Sequence, residues 1–233
     1  MRSRKRSGRA ADKARGNERR RAPLIVALAG PTASGKSTLA GCLAERLGRS
    51  KTAVISLDQY YKNWSHLHKK KRDSINFDHP GSFDFPLFKA HLQALKKGRS
   101  IHAPRYSYKS HLRTKRGTIV APKQWIIVEG LLLFYKKQLR ELFDLKVYID
   151  VLDLIAFSRR VRRDLLCRGE NVFTVCNKYF GFVLPMQKKY IEPQKKHADI
   201  VINGCLTIDH CAKKVLDRII SAPEITRRHC EER

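Results

Sequence analysis

Two rhythms of hydrophobic positions alternate along this chain. Short runs of apolar and β-branched residues recur at 24–29 (Leu-Ile-Val-Ala-Leu-Ala), 52–57 (Thr-Ala-Val-Ile-Ser-Leu), 124–129, 145–149 and 199–202. Each is short enough for a strand, and the first is apolar throughout, the pattern of a strand buried on both faces. Between them, apolar residues recur every three or four positions, as in Leu39, Leu43 and Leu47, and this spacing predicts helices near 37–48, 86–97, 136–143, 152–167, 172–190 and 207–221. The alternation of the two predicts an α/β fold, a parallel sheet with helices on both faces. Residues 60–85 and 101–122 break the rhythm with turn residues and short extended pieces, as expected of a small substrate-binding insertion at the carboxyl edge of the sheet.

With 233 residues and 42% hydrophobic content, the chain has the material for one sizeable core, here expected over 23–222. A basic tail (1–22) and a short C-terminal tail (223–233) are expected to flank it. No apolar run approaches the length of a membrane span, and the N-terminus lacks the apolar stretch of a secretory signal. A cytoplasmic protein is therefore expected, and the six cysteines, which form no C-x-x-C pair, should be reduced thiols. Cys205, Cys211 and His210 are better explained by core packing and helix surface than as a metal cluster.

Charge adds a second theme. The formal net charge is +28, and residues 1–22 hold ten Lys or Arg against Asp12 and Glu18, a net +8. Such a segment is disordered when alone; it serves either as an attachment to nucleic acid or an anionic surface, or as a solvated extension. The runs Lys69-Lys70-Lys71-Arg72 and Arg159 through Arg163 continue the positive field into the folded chain.

The strongest chemical signal follows the first apolar run without a break: Gly30-Pro31-Thr32-Ala33-Ser34-Gly35-Lys36-Ser37-Thr38. This is the phosphate-binding P-loop pattern. Its glycines let backbone N–H groups turn inward around a polyphosphate, Lys36 supplies a point charge to the β and γ phosphates, and the Ser37 hydroxyl is a ligand for Mg²⁺. A helix starting near Lys36 adds its positive dipole end. Asp58, at the end of the second run, should face the same phosphates, where a carboxylate accepts a proton from an attacking hydroxyl and borders the metal. Glu129 closes the third run and is placed in the same way, as a metal or water ligand.

Further blocks accompany these: Asp58-Gln59-Tyr60-Tyr61-Lys62, Asn76-Phe77-Asp78-His79-Pro80-Gly81-Ser82-Phe83-Asp84, Pro104-Arg105-Tyr106-Ser107-Tyr108 with His111, Val128-Glu129-Gly130, Arg159 to Asp164 with Arg168-Gly169, and Tyr190-Ile191-Glu192-Pro193. In this order they resemble the uridine kinase family, within the group that includes the phosphoribulokinases, over roughly residues 24–220. The resemblance implies phosphorylation of the 5′-hydroxyl of uridine or cytidine by ATP or GTP with Mg²⁺. It also implies a tetramer. It makes Asp58 the general base, Asp78 the carboxylate for the ribose hydroxyls, Tyr106 and His111 the pyrimidine lining, Arg160 a substrate-site arginine, and Arg163 and Arg168 lid arginines for the phosphates. Three positions depart from the family pattern. Glu170 stands where an arginine is usual, Lys178 replaces a glutamine near the base and is expected to line the substrate, and Ser107 replaces an aspartate after the tyrosine. The segment Asn203-Gly204-Cys205 is also shorter than the family's segment near the adenine.

Overall fold

The computed structural model describes residues 22–222; the two tails expected at 1–22 and 223–233 therefore lie almost entirely outside the described residues. From the N-terminus, β1 (Leu24–Ala29) leads through the P-loop into α1 (Lys36–Arg46), and β2 (Thr52–Ser56) follows. An insertion then carries α2 (Lys69–Asp73), α3 (Phe85–Lys96) and four short strands, β3 (Ile101–Ala103), β4 (Tyr106–Ser107), β5 (Leu112–Arg113) and β6 (Thr118–Val120). The chain returns as β7 (Trp125–Gly130), α4 (Lys137–Arg140), β8 (Leu145–Asp150) and α5 (Asp153–Arg168). It ends with α6 (Val172–Lys178), α7 (Leu184–Met186), β9 (Ile200–Asn203) and α8 (Ile208–Ser221).

The five long strands form one sheet in the order β2-β7-β1-β8-β9, every pair parallel. All six residues of β1 are buried. Because side chains alternate across a strand, Ile25, Ala27 and Ala29 enter one core with Phe88 and Leu92 of α3, while Leu24, Val26 and Leu28 enter a second with Leu39 and Leu43 of α1 and Val215 of α8. The expected strands and the two-faced cover are thus present. Parallel strands all deliver their carboxyl ends to one edge, and there the loops after β1, β2 and β7 meet.

Three elements differ from the sequence reading. Residues 136–143 hold only the four-residue α4, and the Lys69–Asp73 stretch, expected to lack regular structure, forms one short exposed helix. The helix expected over 172–190 winds α-helically in α6 and α7 and as π-helix over Tyr179–Val183 and Gln187–Ile191. Pro185 within this run has no N–H for an α-helical bond, and wide turns of this kind accommodate such interruptions. The thiol of Cys211 is buried and directed at the carbonyl of Asn203, 3.7 Å away.

Candidate active site

The P-loop owes its shape to its position against the sheet. Gly30 leaves β1 with φ of 150°, and a Cβ there would fall 2.4 Å from the carbonyl oxygen of Ile149 in β8. Only glycine satisfies both constraints. The loop then turns through Ala33, with φ of 55°, to Gly35, which caps α1. Lys36 is 7% exposed, and its ammonium donates to the carbonyls of Gly30 at 3.0 Å and Pro31 at 2.5 Å. Burial holds this ammonium below its ordinary value, while the carboxylates of Glu129 and Asp58 pull it back up. The loop therefore encloses a cation beside two acids.

Those acids come from adjacent strand ends. Glu129 lies in β7 and is buried; both Ser56 and Ser37 are hydrogen-bonded to its carboxyl. Burial, and then the neighbouring charge of Asp58, pushes that carboxyl above its ordinary value. Asp58 sits just beyond the end of β2, in the 3₁₀ turn Leu57–Tyr60, with its backbone N–H donating to Ser56 Oγ at 3.3 Å. Two carboxylates and a serine hydroxyl facing one cavity are hard oxygen donors. Repulsion between the acids is relieved by a cation, and Mg²⁺ characteristically takes one or two carboxylates together with substrate phosphates.

Helix α5 brings the arginines. Asp164, 1% exposed, forms ion pairs with Arg160 at 3.3 Å, Arg163 at 2.8 Å and Arg168 at 3.4 Å. Arg160 and Arg168 lie four residues to either side of Asp164, which puts these two on its face of the helix, while Arg163 is its neighbour in sequence. Arg160 also donates to Thr32 of the P-loop at 3.1 Å, and Arg159 donates to the carbonyl of Gly204 at 2.9 Å. The arginine-bearing helix is thereby attached to both the phosphate loop and the β9–α8 turn.

The far end is aromatic. His111 stacks on Phe77 with centroids 4.7 Å apart and 19° between planes, and Tyr106 packs on Tyr61 at 4.9 Å. The Tyr106 hydroxyl and His111 Nδ1 are buried without a hydrogen-bond partner, and both residues line the same cavity as Lys36 and Asp58. Burial holds the His111 ring below its ordinary value, so it is neutral at pH 7. Asp78, 8% exposed, lies between the two ends. Burial raises its carboxyl, with Arg160 the foremost opposing charge. Lys178 donates to Glu170 at 2.9 Å, so the two family departures neutralise each other, and the second oxygen of Glu170 is buried without a partner.

One cavity of about 1220 Å³ joins these groups, from Lys36 through Asp58 and Asp78 to His111 and Lys178. Every predicted site residue from Thr32 to Thr38, and all those on the later segments, lines it; Gly30 and Pro31 lie behind, as carbonyl acceptors of Lys36. Two contributors, Asp164 and Tyr108, stand within the family blocks but have no assigned role in the sequence reading. Asp164 is detectable from its i±4 spacing to two arginines. Tyr108 stands in the turn that follows β4, and its hydroxyl donates to Asp58 at 3.2 Å.

A parallel sheet with a phosphate loop at its carboxyl edge, a carboxylate across from it and arginines above it defines a P-loop kinase. The model of the Phosphoribulokinase / Uridine kinase family matches residues 25–209, and the chain belongs to that family. It is similar to a uridine kinase of Clostridium novyi (strain NT), 42% identical over 180 residues, covering 77% of this chain and 86% of that protein. A uridine kinase of Chloroflexus aurantiacus (strain ATCC 29366 / DSM 635 / J-10-fl) is 39% identical over 182 residues, 78% of this chain and 87% of that one. Among solved structures, a putative fructose transport system kinase from Silicibacter sp. TM1040 aligns with a TM-score of 0.63 at 25% identity, covering 78% of this chain and 90% of that chain. No helix among the described residues is long and apolar enough to cross a membrane.

Proposed function

We propose that this protein is a nucleoside kinase that transfers the γ-phosphoryl group of ATP or GTP to the 5′-hydroxyl of uridine or cytidine. The observation that carries the reading is the single cavity with Asp58 between its two ends, the P-loop on one side and the Phe77–His111 stack on the other. The similarity to proteins named uridine kinase, at about 40% identity over most of the chain, supports the same acceptor.

In this reading the P-loop N–H groups and Lys36 bind the triphosphate of the donor. Mg²⁺, held by Ser37, Glu129 and Asp58, would supply charge neutralisation at the β and γ phosphates. Asp78 accepts from the ribose hydroxyls, and Tyr106 with His111 holds the flat base. Asp58 orients the 5′-hydroxyl and accepts its proton as the oxygen attacks phosphorus. Arg160, Arg163 and Arg168 surround the equatorial oxygens, whose charge is spread in a loose transition state. Closure of the α5–α6 lid over the cavity excludes water and suppresses hydrolysis of the donor. The proposal extends to a homotetramer in the cytoplasm, with residues 1–22 as an attachment to nucleic acid or an anionic surface.

One observation favours a second acceptor. The Lys178–Glu170 pair lies beside His111 at the acceptor end and offers a carboxylate oxygen where the family pattern has an arginine. A kinase of the same fold acting on another nucleoside or a phosphorylated sugar fits that change. Purified protein with ATP, Mg²⁺ and a panel of nucleosides and sugar phosphates separates the readings. Product from uridine or cytidine that falls about a thousandfold with Asp58→Asn, at unchanged ATP binding, supports the first. Product only from another acceptor supports the second.

A further inference from the structure

Tyr108 is 47% exposed, an unusual setting for an aromatic ring that makes two directed polar contacts. Its hydroxyl donates to Asp58 Oδ2 at 3.2 Å. Its ring face carries the guanidinium of Arg168, 4.9 Å from the centroid, and it forms a T-shaped pair with the Tyr106 ring, centroids 5.6 Å apart. Arg168 in turn pairs with Asp164 on α5. The loop that presents Tyr108 is itself anchored, since Arg72 donates to the carbonyl of Ser110 at 3.1 Å and Ser110 N–H to Ser107 Oγ at 3.4 Å. One side chain thus spans the insertion, the base and the lid.

We propose that Tyr108 is a positioning residue for Asp58: its hydroxyl fixes Oδ2 so that the other carboxylate oxygen faces the acceptor hydroxyl, and its ring seats Arg168, linking the setting of the base to the position of the lid helix. The inference rests on the role of Asp58 as base given above. A carboxylate on a short side chain has a free torsion about its last bond, and one fixed donor removes that freedom. A phenol suits the task because it remains a donor. A phenol ordinarily ionises well above neutral pH, at about 10. The ring adds a cation–π contact that a serine or threonine in the same place could not make.

The test is a cycle of full-length variants assayed with ATP, Mg²⁺ and uridine. Tyr108→Phe keeps the ring and the Arg168 seat and removes only the donor. The expected result is a kcat about tenfold lower with the uridine KM within about twofold, the signature of an interaction acting in the transition state. In the Asp58→Asn background the same change should have no further effect, because Tyr108 acts through Asp58. Tyr108→Leu, which also removes the seat, should lose roughly another tenfold, with its thermal midpoint recorded to separate misfolding from mispositioning. Wild-type kcat in Tyr108→Phe overturns the proposal. So does an equal tenfold loss in both backgrounds, which would mark an independent packing role. If the unaltered protein phosphorylates no nucleoside, the acceptor assignment has failed, and the cycle is then read on acceptor-free ATP hydrolysis. There the Tyr108→Phe effect must again vanish with Asp58→Asn.

Discussion

The two ends of the cavity are built differently. At the phosphate end the loop emerges from a central strand that is buried on both faces, and its geometry is set by backbone contacts with β8. At the acceptor end the elements are two-residue strands, a short exposed helix and π-helical turns, joined by individual side chains such as Arg113, which donates to the carbonyl of Tyr61 at 2.7 Å and to Asp84 at 3.1 Å. The contrast matches the tasks. A triphosphate presents the same charges in every kinase of this kind, so its cradle can be built into the core. The acceptor differs between relatives, and a periphery held by a few side chains can change without loss of the fold.

The contrast is broken most severely at Gly30. Gly30→Ala forces a Cβ onto the Ile149 carbonyl at a φ of 150°, and the fold should lose about 3 kcal/mol, read by urea denaturation. A loss below about 1 kcal/mol would mean that the loop is not fixed by β8. The acceptor end should respond locally instead. Lys178→Gln leaves the Glu170 carboxylate without its cation, 2.9 Å from where the ammonium stood. The nucleoside KM should rise about tenfold while the ATP KM and the thermal midpoint hardly move. Glu170→Gln added to it should recover part of the loss, and a rise in the ATP KM would show the two ends to be coupled. The smallest effect belongs to Asn171→Ala, which removes the side-chain acceptor of Thr174 N–H at 2.8 Å at the start of α6. It should cost about 1 kcal/mol of stability, measured by thermal unfolding, with ATP binding unaltered.

The phosphate end was legible because its signals are local. The P-loop glycines, Lys36 and Ser37 are consecutive, and the run before them could only be a buried strand. Asp58 and Glu129 could be placed because the carboxyl ends of parallel strands converge. Tyr108 and Asp164 stand within the family blocks without an assigned role, since each takes its role from its contacts in the fold, Asp58 for one and three arginines for the other. Lys178 and Glu170 read separately as two departures from a pattern. Their pairing rests on how α6 packs beside the end of α5, and π-helical turns follow directly after Lys178.

The sequence alone determined the five-stranded parallel sheet, the position of its phosphate loop and the family to which the chain is similar, because these depend on period, spacing and local backbone geometry. How the side chains pair, Tyr108 with Asp58, Lys178 with Glu170 and Asp164 with its arginines, was decided only by the tertiary structure. Hydrogen bonds and ion pairs act over about 3 Å, and side chains tens of residues apart come within that range only when the sheet and its insertion have packed.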